Sequence, residues 1–370
     1  MRISFIRLFF VIMIPFGIFS GFSCRGNSSV KLPEEKKTDP REVKVAAKLI
    51  KIEKPSDNQR FSSSDEIEFS LSLLGEEQPD SIRLYYDGSL IETLYNGPWQ
   101  YKISTDQSRL GRIPLKAIAY SGSKRPHTLT QFILMFSDII PTTGSYRVIN
   151  TYPHDKQAYT QGLLVYNGYL YESTGKEGRS TLRKVDIETG EVLVQHKLDN
   201  KFFGEGLAYL DGRFYQLTWL KNTGFVYDAD SFTQINTIHY DTQGWGLTTD
   251  GQNLFMSDGT NKIYILEPDY FTVISSFEVY DNQKAVYQLN ELEYINGVLW
   301  ANIFTTNLIA SIDPATGKVL AYYDFTGIID KYDKNLDSEE VLNGIAWDSK
   351  DEKMFITGKH WSKIFEVDLH

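Results

Sequence analysis

Residues 205–215 read EGLAYLDGRFY, and the phrase recurs along the second half of the chain: QGLLVYNGYLY from Gln161, WGLTTDGQNLF from Trp245, NELEYINGVLW from Asn290 and NGIAWDSKDEKMF from Asn343. Each is an apolar run, a turn carrying Asn-Gly, Asp-Gly or nearby Asn and Asp, and a second run ending in an aromatic, the pattern of a β-hairpin. Each continues into a third run that closes on an acid, as in LRKVDIETG, GFVYDAD, IYILEPD, ASIDPATG and IFEVDLH. A fourth run follows in the first four repeats, for example TQINTIHYD. The phrases start 44, 40, 45 and 53 residues apart, and a four-stranded unit of that length is the blade of a β-propeller. The fifth repeat reaches only its third strand by His370, and SYRVINTYPHD, just before the first repeat, is patterned like the fourth strands and is expected to complete it. The expectation is an all-β chain in which residues 146–370 form a five-bladed β-propeller closed by pairing of its two ends.

Residues 46–140 carry shorter alternating segments, such as Ile67, Phe69, Leu71 and Leu73 in EIEFSLSL, separated by Asp87-Gly88 and Asn96-Gly97. This predicts a small Ig-like β-sandwich. No cluster there points to chemistry, so it reads as a spacer or docking module. The first residues, MRISFIRLFFVIMIPFGIFSGFSC, place Arg2 and Arg7 before an apolar run from Leu8 to Phe19. That is a secretory signal pattern, too short for a spanning helix of about 20 apolar residues. Cys24, the single cysteine, falls at the cleavage position and reads as the lipidated residue of a bacterial lipoprotein signal over residues 1–24, although Gly21 stands where such signals usually carry Leu. Residues 25–45 are polar and read as a flexible tether. The expected location is the bacterial cell envelope, with the protein exported, a monomer, held to the membrane by lipid and exposed to periplasm or surface. A net charge of −10 with no block of lysine and arginine excludes a nucleic-acid backbone as partner.

Corresponding positions of propeller blades surround one axis, so the phrase starts make a second statement. Gln161, Glu205, Trp245, Asn290 and Asn343 should form a ring. In four of the five the next residue is glycine, which suits close backbone approach; Glu291 stands there in the fourth. A second ring lies nine residues before the acids that close the third strands, at Trp219, Asp258, Phe304 and Lys359, with Glu177 or Lys176 in the first repeat. Together the rings predict a pocket at one mouth of the propeller with one carboxylate, amides, indoles and a lysine, the mixture of apolar wall and few polar groups that ligand pockets share. The bland alternative is a wet channel lined by polar inner-strand residues. The six histidines show no metal-binding spacing and one cysteine cannot build a thiolate site. No metal or cofactor is expected, with room left for a structural cation in the channel. Glu291 and Glu293 share a strand face and read as ion-pair partners of neighbouring blades rather than cation ligands. Asp337, Glu339 and Glu340 read as a solvated acidic loop.

The phrases YTQGL, ESTGKEGRSTLR, FFGEGLA, TWL, GWGL, SDGT, LNELEYINGVLWANI, LNGIAWD and TGKHW, in this order, resemble those of the glutaminyl-peptide cyclotransferases of the plant and bacterial type over about residues 146–370. The resemblance implies a five-bladed propeller that converts an N-terminal glutamine of a peptide or protein into pyroglutamate with release of ammonia, as a metal-independent aminoacyltransferase. It implies that Glu205 is the general acid and base, with Gln161, Trp245, Asn290 and Lys359 as polar groups of the catalytic pocket, and that Tyr159, Phe203, Trp219 and Phe304 wall the substrate. Two positions depart from the pattern. Tyr159 replaces the usual Phe before TQG, and Phe304 stands where the plant-type sequence has Trp, keeping a wall but losing an indole N–H.

That chemistry gives the charge at Glu205 a purpose. The substrate's α-amine must lose a proton as it attacks its own side-chain amide carbon, and ammonia leaves readily only when it gains one; a single carboxylate can serve both steps. Burial between phenylalanines would raise its pKa and Lys359 would lower it, and the residues alone leave the balance open. The Trp245 indole, the Asn290 amide and Lys359 are the candidate donors to the oxyanion. The alternative reading is a non-catalytic peptide- or glycan-binding propeller on a lipid-anchored envelope protein, since one fold hosts either role.

Overall fold

A computed structural model describes residues 48–106, 108–122, 124–329 and 340–370. The signal segment with Cys24, the tether, Asp337 and Glu339 lie outside the described residues. Among the described residues the regular structure is strand throughout, with no helix, as the alternation predicts.

The first part is a two-sheet sandwich. Three strands, Ile50–Lys54, Glu66–Leu73 and Gln100–Ser104, face five, ordered Gln59–Ser62, His127–Phe136, Gly111–Tyr120, Ser81–Tyr86 and Ser89–Leu94. Period-two patterning places Ile67, Phe69 and Leu71 in the core while Glu66 and Glu68 stay exposed, the geometry a half-buried strand imposes. Asp87 and Gly88, at φ 46° and 86°, make the hairpin turn whose left-handed backbone matches strand twist.

The remainder is five antiparallel sheets of four strands. Sheet I runs Thr160–Tyr166, Tyr169–Thr174, Thr181–Val185 and Val192–Lys197, and sheet II runs Gly204–Leu210, Arg213–Thr218, Thr223–Asp228 and Gln234–His239. Sheet III runs Leu247–Thr249, Leu254–Ser257, Lys262–Glu267 and Thr272–Glu278, and sheet IV runs Leu289–Ile295, Val298–Ile303, Leu308–Ile312 and Val319–Asp324. Sheet V starts with Leu342–Asp348, Lys353–Gly358 and Lys363–Leu369, and its fourth strand is Tyr146–Pro153, paired antiparallel with Lys363–Leu369. A short strand unforeseen in the sequence, Thr142–Gly144, adds in parallel to the outer edge of sheet IV. First strands touch in the order I, II, III, IV, V and back to I. Apolar clusters fill the spaces between successive sheets, as where Ala208, Tyr215 and Leu217 of sheet II meet Leu247, Leu254 and Met256 of sheet III.

The glycines that follow the phrase starts lie against the next first strand. A Cβ on Gly162 would stand 2.5 Å from the Leu207 nitrogen, and one on Gly206 2.5 Å from that of Leu247; only glycine permits such approach. Register slips at the same place in four sheets, between Thr160 and Gly162, Gly204 and Leu207, Leu289 and Leu292, and Leu342 and Ile345. Gln161, Glu205, Asn290 and Asn343 therefore sit in β-bulges, which turn side chains out of the strand's alternation.

Glu291 and Glu293 correct the ion-pair expectation. Glu291 is buried and Glu293 half-buried, and their partners lie on other sheets, mostly backbone amides: Ile345 and Leu163 donate to Glu291 at 2.8 and 3.3 Å, and Trp347 and the Thr248 hydroxyl to Glu293 at 2.9 and 3.1 Å. Glu340 is likewise buried rather than solvated.

The sandwich is fastened to the connection between sheets III and IV. Tyr280 belongs to the sandwich core, its ring edge-on to Phe136 at 5.5 Å. Ser137 donates its amide to the Asp281 carbonyl at 3.3 Å, Arg60 donates to the Gln283 carbonyl, and Lys318, just before the fourth strand of sheet IV, pairs with Asp138 at 2.7 Å.

Candidate active site

A cavity of about 220 Å³ is lined by the bulges of the first strands, the residues just before those strands and the loops that follow the second strands. It gathers the nine side chains that the family resemblance assigned to the pocket, Tyr159 through Lys359, together with Lys176, while Asn343 of the first ring is not in the lining. Of the two alternatives in the first repeat, then, Lys176 lines the cavity and Glu177 does not. Asp258 is a correction: it is absent from the lining, and its carboxylate is engaged locally by the Thr260 amide and hydroxyl and by the Tyr264 hydroxyl.

Glu205 is the carboxylate of the cavity, 4% exposed. A chain of amides orients its neighbour. The Thr160 carbonyl can only accept, so Asn343 presents Nδ2 to it at 2.9 Å and also donates to Gln161 Oε1 at 3.2 Å. This leaves Gln161 Nε2 facing Glu205, to which it donates at 2.8 Å. Burial pushes the Glu205 carboxyl well above the usual range, with the Lys359 ammonium pulling the other way. Desolvation prevails in the balance that sequence left open.

Lys359 is 2% exposed, and its ammonium lies 4.7 Å from the centre of the Tyr159 ring and 4.4 Å from that of Phe304. Aromatic faces attract a desolvated cation, so the two positions that depart from the family pattern both form the seat of this lysine. The walls interlock edge to face: Phe203 with Tyr159 at 5.9 Å and with Trp219 at 5.7 Å, and Trp245 with Phe304 at 5.6 Å.

Trp245 departs from its expected part. Its indole N–H donates to Gln243 Oε1 at 3.0 Å, and the same oxygen accepts the Trp219 indole N–H at 2.8 Å. The indole is thereby committed to holding the wall rather than left to meet an oxyanion. Gln243 was not legible in the sequence, because it lies in the connection ahead of a repeat, outside the counted register. Asn290 is different: its Oδ1 is buried with no hydrogen-bond partner among the described residues. An unmatched buried carbonyl oxygen is costly, and it sits where an N–H of a ligand could complete it. The cavity can thus desolvate a small polar group, exchange a proton with it at Glu205, accept an N–H at Asn290 Oδ1 and present the Lys359 ammonium to a carbonyl oxygen. Among the described residues no three histidine, cysteine or acidic side chains are gathered as metal ligands would be.

Comparison with known proteins converges on one family. A profile described as Glutamine cyclotransferase matches residues 123–369, and one described as Bacterial Ig domain matches residues 49–130. The chain is 42% identical over 238 residues to a glutaminyl-peptide cyclotransferase of Arabidopsis thaliana, covering 63% of this chain and 73% of that protein. It is also similar to the crystal structure of Myxococcus xanthus glutaminyl cyclase, at 35% identity and a TM-score of 0.58, over 62% of this chain and 98% of that one.

Proposed function

The chain belongs to the glutamine cyclotransferase family and is an enzyme of the glutaminyl-peptide cyclotransferase kind, and we propose that Glu205 carries the proton as an N-terminal glutamine closes on itself. The observation behind this is a single carboxyl held out of water in an aromatic cavity, its pKa raised well above the usual carboxylate range by burial. A general acid–base group works best with a pKa near the working pH. An α-amine titrates at about 7.7–8.0, so the upward shift at Glu205 narrows the gap between the two groups that exchange the proton.

The neutral amine attacks the side-chain amide carbon, forming the ring C–N bond and leaving a protonated ring nitrogen and an oxyanion. Glu205 takes a proton from that nitrogen and supplies one to the departing nitrogen; the carbonyl re-forms as the C–N bond to ammonia breaks. Gln161 holds Glu205 in place, Asn290 Oδ1 accepts an N–H of the substrate, and Lys359 serves the oxyanion. One well-placed donor of this sort is commonly worth about 3–4 kcal/mol. The aromatic walls keep the glutamine folded back on its amine, the positioning an intramolecular reaction most needs. We also read the five sheets as blades of a propeller, supported by the cyclic order of their first strands and by the Tyr146–Pro153 strand that completes sheet V.

Glu205→Gln tests the role. The substituted amide still accepts the Gln161 hydrogen bond but does not titrate, so turnover should fall by about 10²–10⁴-fold with the melting temperature at or above that of the parent. Ammonia release within a few-fold of the parent would remove Glu205 from the reaction.

A further inference from the structure

A second cavity, of about 340 Å³, shares Phe203 and Trp219 with the first and is completed by Glu177, Lys201, Leu220 and Lys221. We infer that it receives the residues following the terminal glutamine and favours peptides with an acidic side chain at the second or third position; the occupant rests on the cyclase reading.

Direction comes first. With the α-amine held at buried Glu205, the rest of the peptide has to leave by the rim, where Trp219, at 37% exposure, belongs to both cavities. An extended chain advances about 3.3 Å per residue, so the next residues pass over the shared wall. That wall is already fixed, since Trp219 packs on Phe203 and is hydrogen-bonded to Gln243; little ordering is needed on binding.

Chemistry comes second. The chain carries a net charge of −10, yet here Lys201 and Lys221 line one cavity with a single acid, Glu177, and Lys176 lines the adjoining one. Lys201 pairs loosely with Asp199 at 3.9 Å and lies 5.0 Å from the centre of the Phe202 ring, and a bound carboxylate can displace the Asp199 pair. Leu220, 55% exposed, offers apolar surface to the methylenes of the same residue. Such complementarity acts on affinity and partner choice rather than on the chemical step.

The test follows ammonia release from C-terminally amidated Gln-Ala-Ala-Ala, Gln-Asp-Ala-Ala, Gln-Lys-Ala-Ala, Gln-Ala-Asp-Ala and Gln-Ala-Lys-Ala. At one or both positions, aspartate should give a kcat/KM about three- to tenfold above lysine, carried by KM. The difference should close in about 1 M salt, where charges are screened within ~3 Å. The double variant K201E/K221E should reverse the order while melting like the parent. Equal kcat/KM across the set, or a preference that survives the double variant, overturns this inference and leaves the cyclase reading standing. No ammonia from any of the peptides overturns the cyclase reading, and this occupant with it.

Discussion

Glu205 stands between two opposing influences, burial that favours its neutral form and the Lys359 ammonium that favours its charged form. Replacing Lys359 with Met keeps bulk near the Tyr159 and Phe304 rings and removes the influence that lowers the pKa. The Glu205 pKa should therefore rise further, and the acid limb of kcat/KM, where activity is lost as the carboxylate gains its proton, should move to higher pH. If Lys359 also serves the oxyanion, turnover at the optimum should drop by about 10²–10³-fold. A pH–rate profile separates the two, and a limb that stays put or moves to lower pH would break the proposed pairing. Repeat counting could find these residues because four bulges fall at one register. It left Lys176 and Glu177 unresolved because the loop from the second to the third strand of sheet I, 175–180, is two residues longer than the four-residue loops of the other sheets, so a count back from the third strand stops inside it. It placed Asp258 in the ring because counting fixes a position but not which way a short acid turns.

At the scale of strands, the first strand of sheet IV differs from the other four by carrying Glu291 where they have glycine. Its two carboxylates replace close backbone approach with hydrogen bonds from amides of sheets V and I. Backbone partners leave no residue-type signal, which is why the sequence suggested ion pairs instead. Burial raises the Glu293 pKa to about 8, and burial together with the Glu293 charge raises that of Glu291. An unfolded glutamate titrates near 4.3, so between that pH and about 8 the unfolded chain releases a proton that the folded one keeps. Stability from this group is whole below the unfolded pKa and declines as pH rises through the folded one, by up to about 1.4 kcal/mol per pH unit. Glu293→Gln keeps an oxygen for the Trp347 amide and removes the titration. Its melting temperature should fall less than the parent's between pH 5 and pH 8, and parallel curves would contradict the assignment.

Across the whole molecule, alternation and turn pairs made the sandwich legible, but nothing in them showed what it touches, and it read as a spacer without part in the site. Its contact falls on the connection that leads into sheet IV. Tyr280 is rooted in the sandwich core, Asp281 and Gln283 are held through their carbonyls, and the connection ends at Gln288, two residues before Asn290. Gln288, at φ 62°, donates its amide to the Gly259 carbonyl and accepts the Phe304 amide, each at 2.9 Å. The same short segment is thus gripped by the sandwich at one end and carries an unmatched amide and an aromatic wall of the cavity at the other. Tyr280→Ala should loosen that grip, since truncating a buried aromatic removes about 3–5 kcal/mol of packing. Cyclase turnover should fall roughly tenfold, because small misplacements of positioning groups are expensive in rate. Calorimetry should show the sandwich melting apart from the five sheets. Glu205 keeps its surroundings, so the acid limb of the pH profile should stay where it is, which distinguishes displacement of Asn290 and Phe304 from damage to the proton carrier. Parent-like turnover in a variant whose sandwich melts separately would show that the cavity stands without it.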